Sequence, residues 1–353
     1  MLYFISFNTE IIEFNDMQRS PSAELLVIAR GMPQHDPMTD FRFSYNIFGL
    51  EEPVAFAETC RRAERYGYDT VFAADHLGIA SPFPTLVAAA QATERLRVGT
   101  LVLNAPFWNP ALLAREIATT DVLTGGRLEV GLGAGHMKWE FDEAGIEWES
   151  FGSRAERLRA TIDELGRLFA ADGYEQQAAM RENFDIPVLR PVQRSGFGGF
   201  GPPLIVGGTG DRILQIAAET ADVVGIAGAF QVKGQPPGTL RIGTAAEADE
   251  RVRYARERAG DRADGLRWHA LVQLVVITDD RAAAAEKLLE RFGSMMTADE
   301  LLETPFAFVG SVEQIADQVL RNRERYGFTY YTVHGPYMEA FAPVIERVRS
   351  ATD

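Results

Sequence analysis

The sequence predicts an α/β protein, a (β/α)8 barrel (TIM barrel) with inserted loops over its C-terminal face, and three observations carry that prediction. Strand-like and helix-like patterns alternate through eight strand candidates, each followed by a helix, between Phe41 and Ser350. The strand candidates are apolar on both faces, as parallel strands covered by helices require. The competing arrangement, an open doubly wound sheet, carries G-x-G-x-x-G after its first strand, and "YNIFGLEEP" at 45–53 has no such motif.

The elements follow in order. "FRFSYNIF" (41–48) alternates as a strand, and "EEPVAFAETCRRAERYG" (51–67) has helical apolar spacing with a glycine stop. "DTVFAADHLG" (69–78) is a strand whose apolar run, Val71–Ala74, ends abruptly on Asp75 and His76. "FPTLVAAAQAT" (83–93) is a helix, "LRVGTLVLN" (96–104) a strand, and "NPALLAREIATTDVLTGG" (109–126) a helix capped by Asn109 with Pro110 in its first turn. "RLEVGLGAG" (127–135) runs as a strand into glycines, and "SRAERLRATIDELGRLFA" (153–170) is an amphipathic helix capped by Ser153. Then come "PLIVGG" (203–208), the helix 209–221, the strand 222–228, the charged helix 245–260 and one long strand, "WHALVQLVVIT" (268–278). A helix at 279–293, a helix at 311–327 capped by Ser311, the strand "FTYYTVH" (328–334) and a helix at 336–350 complete the series.

Three stretches interrupt it: 171–202, 229–243 and 294–310. The first is long and rich in Gly, Pro and aromatics, and such loops inside compact domains usually serve as lids. It is expected to cover the barrel mouth.

Composition sets outer limits. Of 353 residues, 46% are hydrophobic, ample for a buried core, and no apolar run reaches the length of a membrane span. The net charge of −15 argues against a nucleic-acid partner or an anionic membrane surface. Cys60 is the only cysteine, which excludes a disulfide framework and any multi-cysteine metal site. A cytoplasmic protein is the default. Residues 1–40 are expected to be a poorly ordered extension: the segment lacks a positively charged n-region and a small-residue cleavage site, so it is a poor signal peptide. Met38 is an alternative start, and His35 is read as solvated. Residues 41–353 are expected to form the single domain.

In a barrel the loops after the strands build the active site. Asp75 and His76 follow the second strand candidate, Asn104 ends the third, and Gly133, Gly135 and His136 end the fourth. Gly207, Gly208 and Thr209 end the fifth, and His334 ends the eighth. Three of five histidines therefore fall at one rim. His269, at the start of the seventh, is expected at the opposite, stabilising face. No H-E-x-x-H or H-x-H spacing supports a zinc site from His76, His136 and His334, and no metal is assigned. In "VGGTGDR" the amides of Gly207–Gly210 meet a helix N-terminus, which suits phosphate if Asp211 turns outward; a tight turn needing glycine explains the stretch as well.

At these residues the chain resembles the bacterial luciferase-like family of flavin- and deazaflavin-dependent oxidoreductases. The resemblance covers essentially all of 41–350 and rests on "GYDTVFAADHLG", "LRVGTLVLNAPFWNPALLAREIATTDVLTGGRLEVGLGAG", "PLIVGGTGDRILQIAAETADVVGI" and "GSVEQIADQVL", in that order. It is closest to the actinobacterial subgroup that uses coenzyme F420, and a composition of 32 Arg against 3 Lys suits that source. The resemblance implies a cis peptide within Thr100, Leu101 and Val102 under the cofactor ring. It also implies cofactor contacts from Asn104, Gly133 and Gly135, a phosphate site at Gly207, Gly208 and Thr209, and a homodimer. Some deazaflavin-using relatives carry Glu where His136 stands, so the proton donor stays open between His76 and His136. Asp75 is expected to orient His76, and Phe107 and Trp108 to wall the pocket. The implied reaction is hydride transfer between reduced F420 and a small organic substrate, the alternatives being a reduced-FMN monooxygenase using O2 and a barrel that only binds flavin.

Overall fold

The computed structural model describes residues 40–47, 49–292 and 296–352. Residues 1–39, with His35 and Met38, lie outside the described residues.

Eight parallel strands close on themselves. They are β1 (Arg42–Ile47), β2 (Thr70–Ala73), β3 (Arg97–Thr100), β4 (Leu128–Gly133), β5 (Leu204–Gly208), β6 (Val223–Ile226), β7 (Arg267–Val272) and β8 (Phe328–His334). Each pairs with its neighbours in sequence order, and β8 returns to β1 in the register Arg42 to Tyr330 and Asn46 to His334. β3 resumes at Leu103–Asn104 beside Leu132 and Gly133, after a bulge whose Leu101–Val102 peptide is cis. Eight main helices cover the outside: α1 (Pro53–Arg65), α2 (Pro82–Ala92), α3 (Pro110–Leu123), α4 (Phe151–Ala170), α5 (Asp211–Thr220), α6 (Ala245–Ala259), α7 (Val312–Tyr326) and α8 (Met338–Thr352). No helix among the described residues is long and apolar enough to cross a membrane.

Local chemistry explains most helix starts. The Asn109 side chain accepts from the amides of Ala111 and Leu112, and Ser311 forms a reciprocal capping box with Gln314. α4 starts two residues earlier than expected. Ser150 rather than Ser153 is its cap, because the Ser150 hydroxyl accepts from the Ser153 amide at 3.1 Å.

Strand alternation sorts side chains between the barrel interior and the helical layer. Phe43 and Tyr45 face outward, Phe43 meeting Phe341 of α8 and Tyr45 meeting Cys60 of α1. Arg42 and Ser44 face inward. At the strand starts Glu129 is fully buried and accepts from Arg97 Nε at 2.6 Å and from the Tyr330 hydroxyl at 3.0 Å, with Arg42 at 3.4 Å. Above it Phe72, Ile205, Val223 and Tyr330 pack as an apolar plug, with Leu101 against them. His269 belongs to this interior and not to the stabilising face beneath the barrel: its Nε2 lies 2.7 Å from Thr332 Oγ1, and burial lowers its pKa to about 3.

Gly131 is required where the bulge crosses β4. A Cβ there would stand 2.1 Å from the Thr100 carbonyl oxygen. Without one, the Thr100 hydroxyl donates to Gly131 O and accepts from its amide, at 2.9 and 2.8 Å.

Two expectations fail for topological reasons. The 171–202 segment is not a lid. It follows a helix, so it lies where strands begin: Asp121 accepts from the amides of Val192 and Gln193, and Gln193 bridges Arg97 to the Leu128 carbonyl at the base of β3 and β4. The stretch 268–278 is not one strand. At Gln273 the chain hands over, its amide donating to Phe306 O at 2.7 Å. Leu274–Ile277 then pairs in parallel with Ala307–Gly310 outside the barrel. The loops that do emerge on the C-terminal side follow β4, β6 and β7. They hold an unpredicted helix at Lys138–Ala144, an antiparallel hairpin of Ala229–Gln231 with Leu240–Ile242, and the helices Arg281–Phe292 and Ala298–Glu303.

Candidate active site

The ends of β2 and β3 are clamped together by Asp75. Its Oδ2 accepts from the Asn104 amide at 3.0 Å and from the Trp108 indole at 2.9 Å, while Asn104 Nδ2 donates to the Asp75 carbonyl at 2.8 Å. Burial raises the Asp75 pKa against the pull of those two donors. Asp75 therefore holds the bulge: its hydrogen bonds go to Asn104 and Trp108, and its link to His76 is charge attraction, not the expected hydrogen bond.

His76 is held by a residue that the sequence reading missed. Its Nδ1 lies 2.8 Å from Glu140 Oε1, which also accepts from the Leu77 amide at 3.1 Å. Glu140 sits on the seven-residue helix Lys138–Ala144, too short to give a periodic signal. That helix is pinned by Phe141, which is fully buried and edge-on to Phe107 and Trp148, with the Arg154 guanidinium 3.6 Å from the Trp148 ring centre. Gly135 makes this packing possible: its φ is +75°, and a Cβ would stand 2.7 Å from the Phe141 ring.

His136 faces His76 edge-to-face, ring centres 5.6 Å apart. It keeps an accessible edge at the rim, yet desolvation by the surrounding loops, and then the charge of His76, lower its pKa toward about 4. Burial also lowers His334, which lies beside Gln273 at 3.5 Å.

Glycines at the rim answer first to the chain itself. A Cβ on Gly133 would meet Val102 at 2.7 Å, and one on Gly207 would meet the Gly225 carbonyl at 3.1 Å. β5 then turns through Gly208, Thr209 and Gly210 into α5, whose N-terminus has no side-chain cap. Asp211 is turned outward as the phosphate reading needs. Arg251 pairs with it and also donates to the Thr209 carbonyl at 3.3 Å.

The clamp makes a prediction. Asp75→Ala leaves two donors without an acceptor, at about 1–3 kcal/mol for each, so a loss of roughly 2–6 kcal/mol in urea unfolding is expected. Asp75→Asn, whose amide oxygen can accept from both, should recover most of it. Equal losses in the two variants would refute the clamp.

A closed (β/α)8 barrel with paired imidazoles, a buried carboxylate and an uncapped helix N-terminus on its C-terminal rim has the build of an enzyme. The chain belongs to the luciferase-like monooxygenase family, whose model matches residues 39–303. It is 27% identical over 320 residues to the F420-dependent glucose-6-phosphate dehydrogenase of Kribbella flavida, spanning 84% of this chain and 91% of that one. To the enzyme of the same name from Amycolatopsis mediterranei it is 32% identical over 163 residues, 43% of this chain and about half, 48%, of that relative. The coenzyme F420-dependent tetrahydromethanopterin reductase of Methanopyrus kandleri shares the fold, with a TM-score of 0.64 at 19% identity over 89% of this chain and 100% of that one.

Proposed function

We propose that the protein is a coenzyme F420-dependent oxidoreductase that moves a hydride between the deazaflavin and a small organic substrate. The observation that carries this reading is the His76–Glu140 pair at the end of β2, beside the clamped bulge of β3. Relatives named for F420 align along most of the chain.

The rim fits such a cofactor on its own features. Asn46 Oδ1, at the end of β1, is buried without a partner among the described residues, an acceptor suited to the N–H of a pyrimidine-like ring edge. The uncapped start of α5, with Gly207, Gly208 and Thr209 before it, suits a phosphate tail. Thr100, Leu101, Val102 and Asn104 would floor the ring, with Gly133 and Gly135 beside them. When bound, the deazaflavin supplies a two-electron hydride donor or acceptor.

The chain's own residues do the rest. Asp75 fixes Asn104 and Trp108. His76 offers Nε2 for the substrate proton, an imidazole being suited to acid–base work near neutrality. His136, ring edge to face with His76, can hydrogen-bond a substrate oxygen.

Cofactor titration tests the reading. Purified protein should bind F420 more tightly than FMN, and turnover, with glucose 6-phosphate the first substrate to try, should proceed without oxygen. The family's monooxygenase members favour one second reading, in which reduced FMN binds and turnover consumes O2. Tight FMN binding with oxygen uptake would establish that reading, and retention of cofactor with no turnover would leave a binding protein.

A further inference from the structure

We propose that Glu140 is the positioning residue for His76: it fixes the ring with Nδ1–H turned inward and stabilises the imidazolium, so that the substrate proton travels through His76 Nε2 and not through His136.

The geometry of the carboxylate carries this. Glu140 is 1% exposed. A buried carboxylate is costly unless paired and hydrogen-bonded. Its Oε1 has two partners, His76 Nδ1 and the Leu77 amide, while Oε2 is buried with none among the described residues. An acceptor-only group of this kind fixes the proton on the nearer ring nitrogen and leaves the opposite one for chemistry, and it gains most when the ring is positively charged. The other titratable groups facing His76 do not compete for it. Asp75, its chain neighbour, is engaged with Asn104 and Trp108, and His136, from the loop after β4, meets it ring edge to face.

The proton balance is simple. A substrate O–H proton moves to Nε2 in one direction and returns in the other, while Nδ1 keeps its proton against Glu140. The pair alternates between neutral imidazole with carboxylate, whose charge is then held by hydrogen bonds from Nδ1–H and the Leu77 amide, and imidazolium with carboxylate; the Nε2 proton leaves to solvent over the partly exposed ring.

A purely structural role is the alternative, since the same contacts tie the short helix to the loop after β2. Two readouts separate them. In ¹⁵N-histidine NMR of the full chain without cofactor, neutral His76 should show the Nδ1–H tautomer, and Glu140→Gln, whose amide can donate as well as accept, should mix the two tautomers. With F420 bound, Glu140→Gln should lower kcat/KM by about 10²-fold at neutral pH, within the range a positioned acid–base group contributes. Glu140→Asp should restore part of both. Cofactor affinity should stay near wild type. An unchanged Nδ1–H preference in Glu140→Gln, or an Nε2–H tautomer in wild type, would overturn the proposal. The inference rests on the oxidoreductase reading for its rate arm alone: the expected NMR behaviour in a protein that turns over nothing with F420 would sustain the pair and remove the proposed function.

Discussion

His76→Ala is expected to lower kcat/KM by about 10²–10⁴-fold, the usual contribution of a positioned acid–base group, while the barrel stays folded. The imidazole is partly accessible, its side chain 34% exposed, and it contributes little to the core. Its removal leaves Glu140 with the Leu77 amide as its remaining partner among the described residues, so a modest drop in stability of about 1–2 kcal/mol accompanies the loss of turnover. The decisive control is rescue. Free imidazole can enter a partly open site and restore activity in proportion to its neutral or protonated fraction at the assay pH. A variant as active as wild type would remove His76 from the mechanism. One whose activity fell only in step with its folded fraction would do the same.

The largest stability effect is expected at the opposite end of the barrel. Glu129→Ala removes the carboxylate that Arg97, Arg42 and Tyr330 share inside the strand starts. Breaking a buried ion pair by deleting one partner typically costs about 3–5 kcal/mol, because the remaining charge stays buried without its counter-ion, and a loss of that order is expected in chemical unfolding. The pH dependence has a definite sign. Burial alone would raise the Glu129 pKa, but the charges of Arg97 and then Arg42 overcome it and leave the group below its ordinary value. A depressed carboxylate contributes stability that is present above its unfolded pKa, about 4.3, and is lost as pH falls through the folded value. Wild type should therefore weaken below roughly pH 4, and Glu129→Gln should lack that part of the loss. Asp222 acts in the opposite sense. Burial raises it to about 6, so its contribution falls as pH rises from about 4 to about 6. Unfolding free energies of wild type and Glu129→Gln at matched pH check the assignment; parallel curves would refute it.

What could be read without coordinates follows from how far each signal reaches. Strand alternation, helical spacing, capping by Asn109 and Ser311, and the glycine turns are local, and each is visible within a few residues. The apolar run that stops at Asp75 and His76 is local too, which is why the rim position of His76 was legible. Asp75 and His76 nevertheless hydrogen-bond to other residues and not to each other. Adjacent residues suggest adjacency of function, whereas side chains at a strand end diverge: Asp75 turned toward β3, and His76 toward a helix 64 residues further along the chain. The misplaced lid has a different origin. Length and composition mark 171–202 as an insertion but carry no direction, and the direction comes from chain parity, since a segment following a helix returns to the starting end of the strands. The break at Gln273 has no local mark because a single Gln between Leu271–Val272 and Leu274–Ile277 does not interrupt an apolar strand pattern, and only the competing edge at Ala307–Gly310 makes the chain leave the barrel.

The sequence by itself determined the eight-fold strand–helix alternation, the parallel character of the sheet and the family, because periodicity, burial on both faces and ordered motifs are properties of contiguous residues. Only the tertiary structure decided which carboxylate meets which imidazole and which end of the barrel each insertion covers. Those outcomes depend on distances and desolvation between segments far apart in the chain, and no local pattern encodes them.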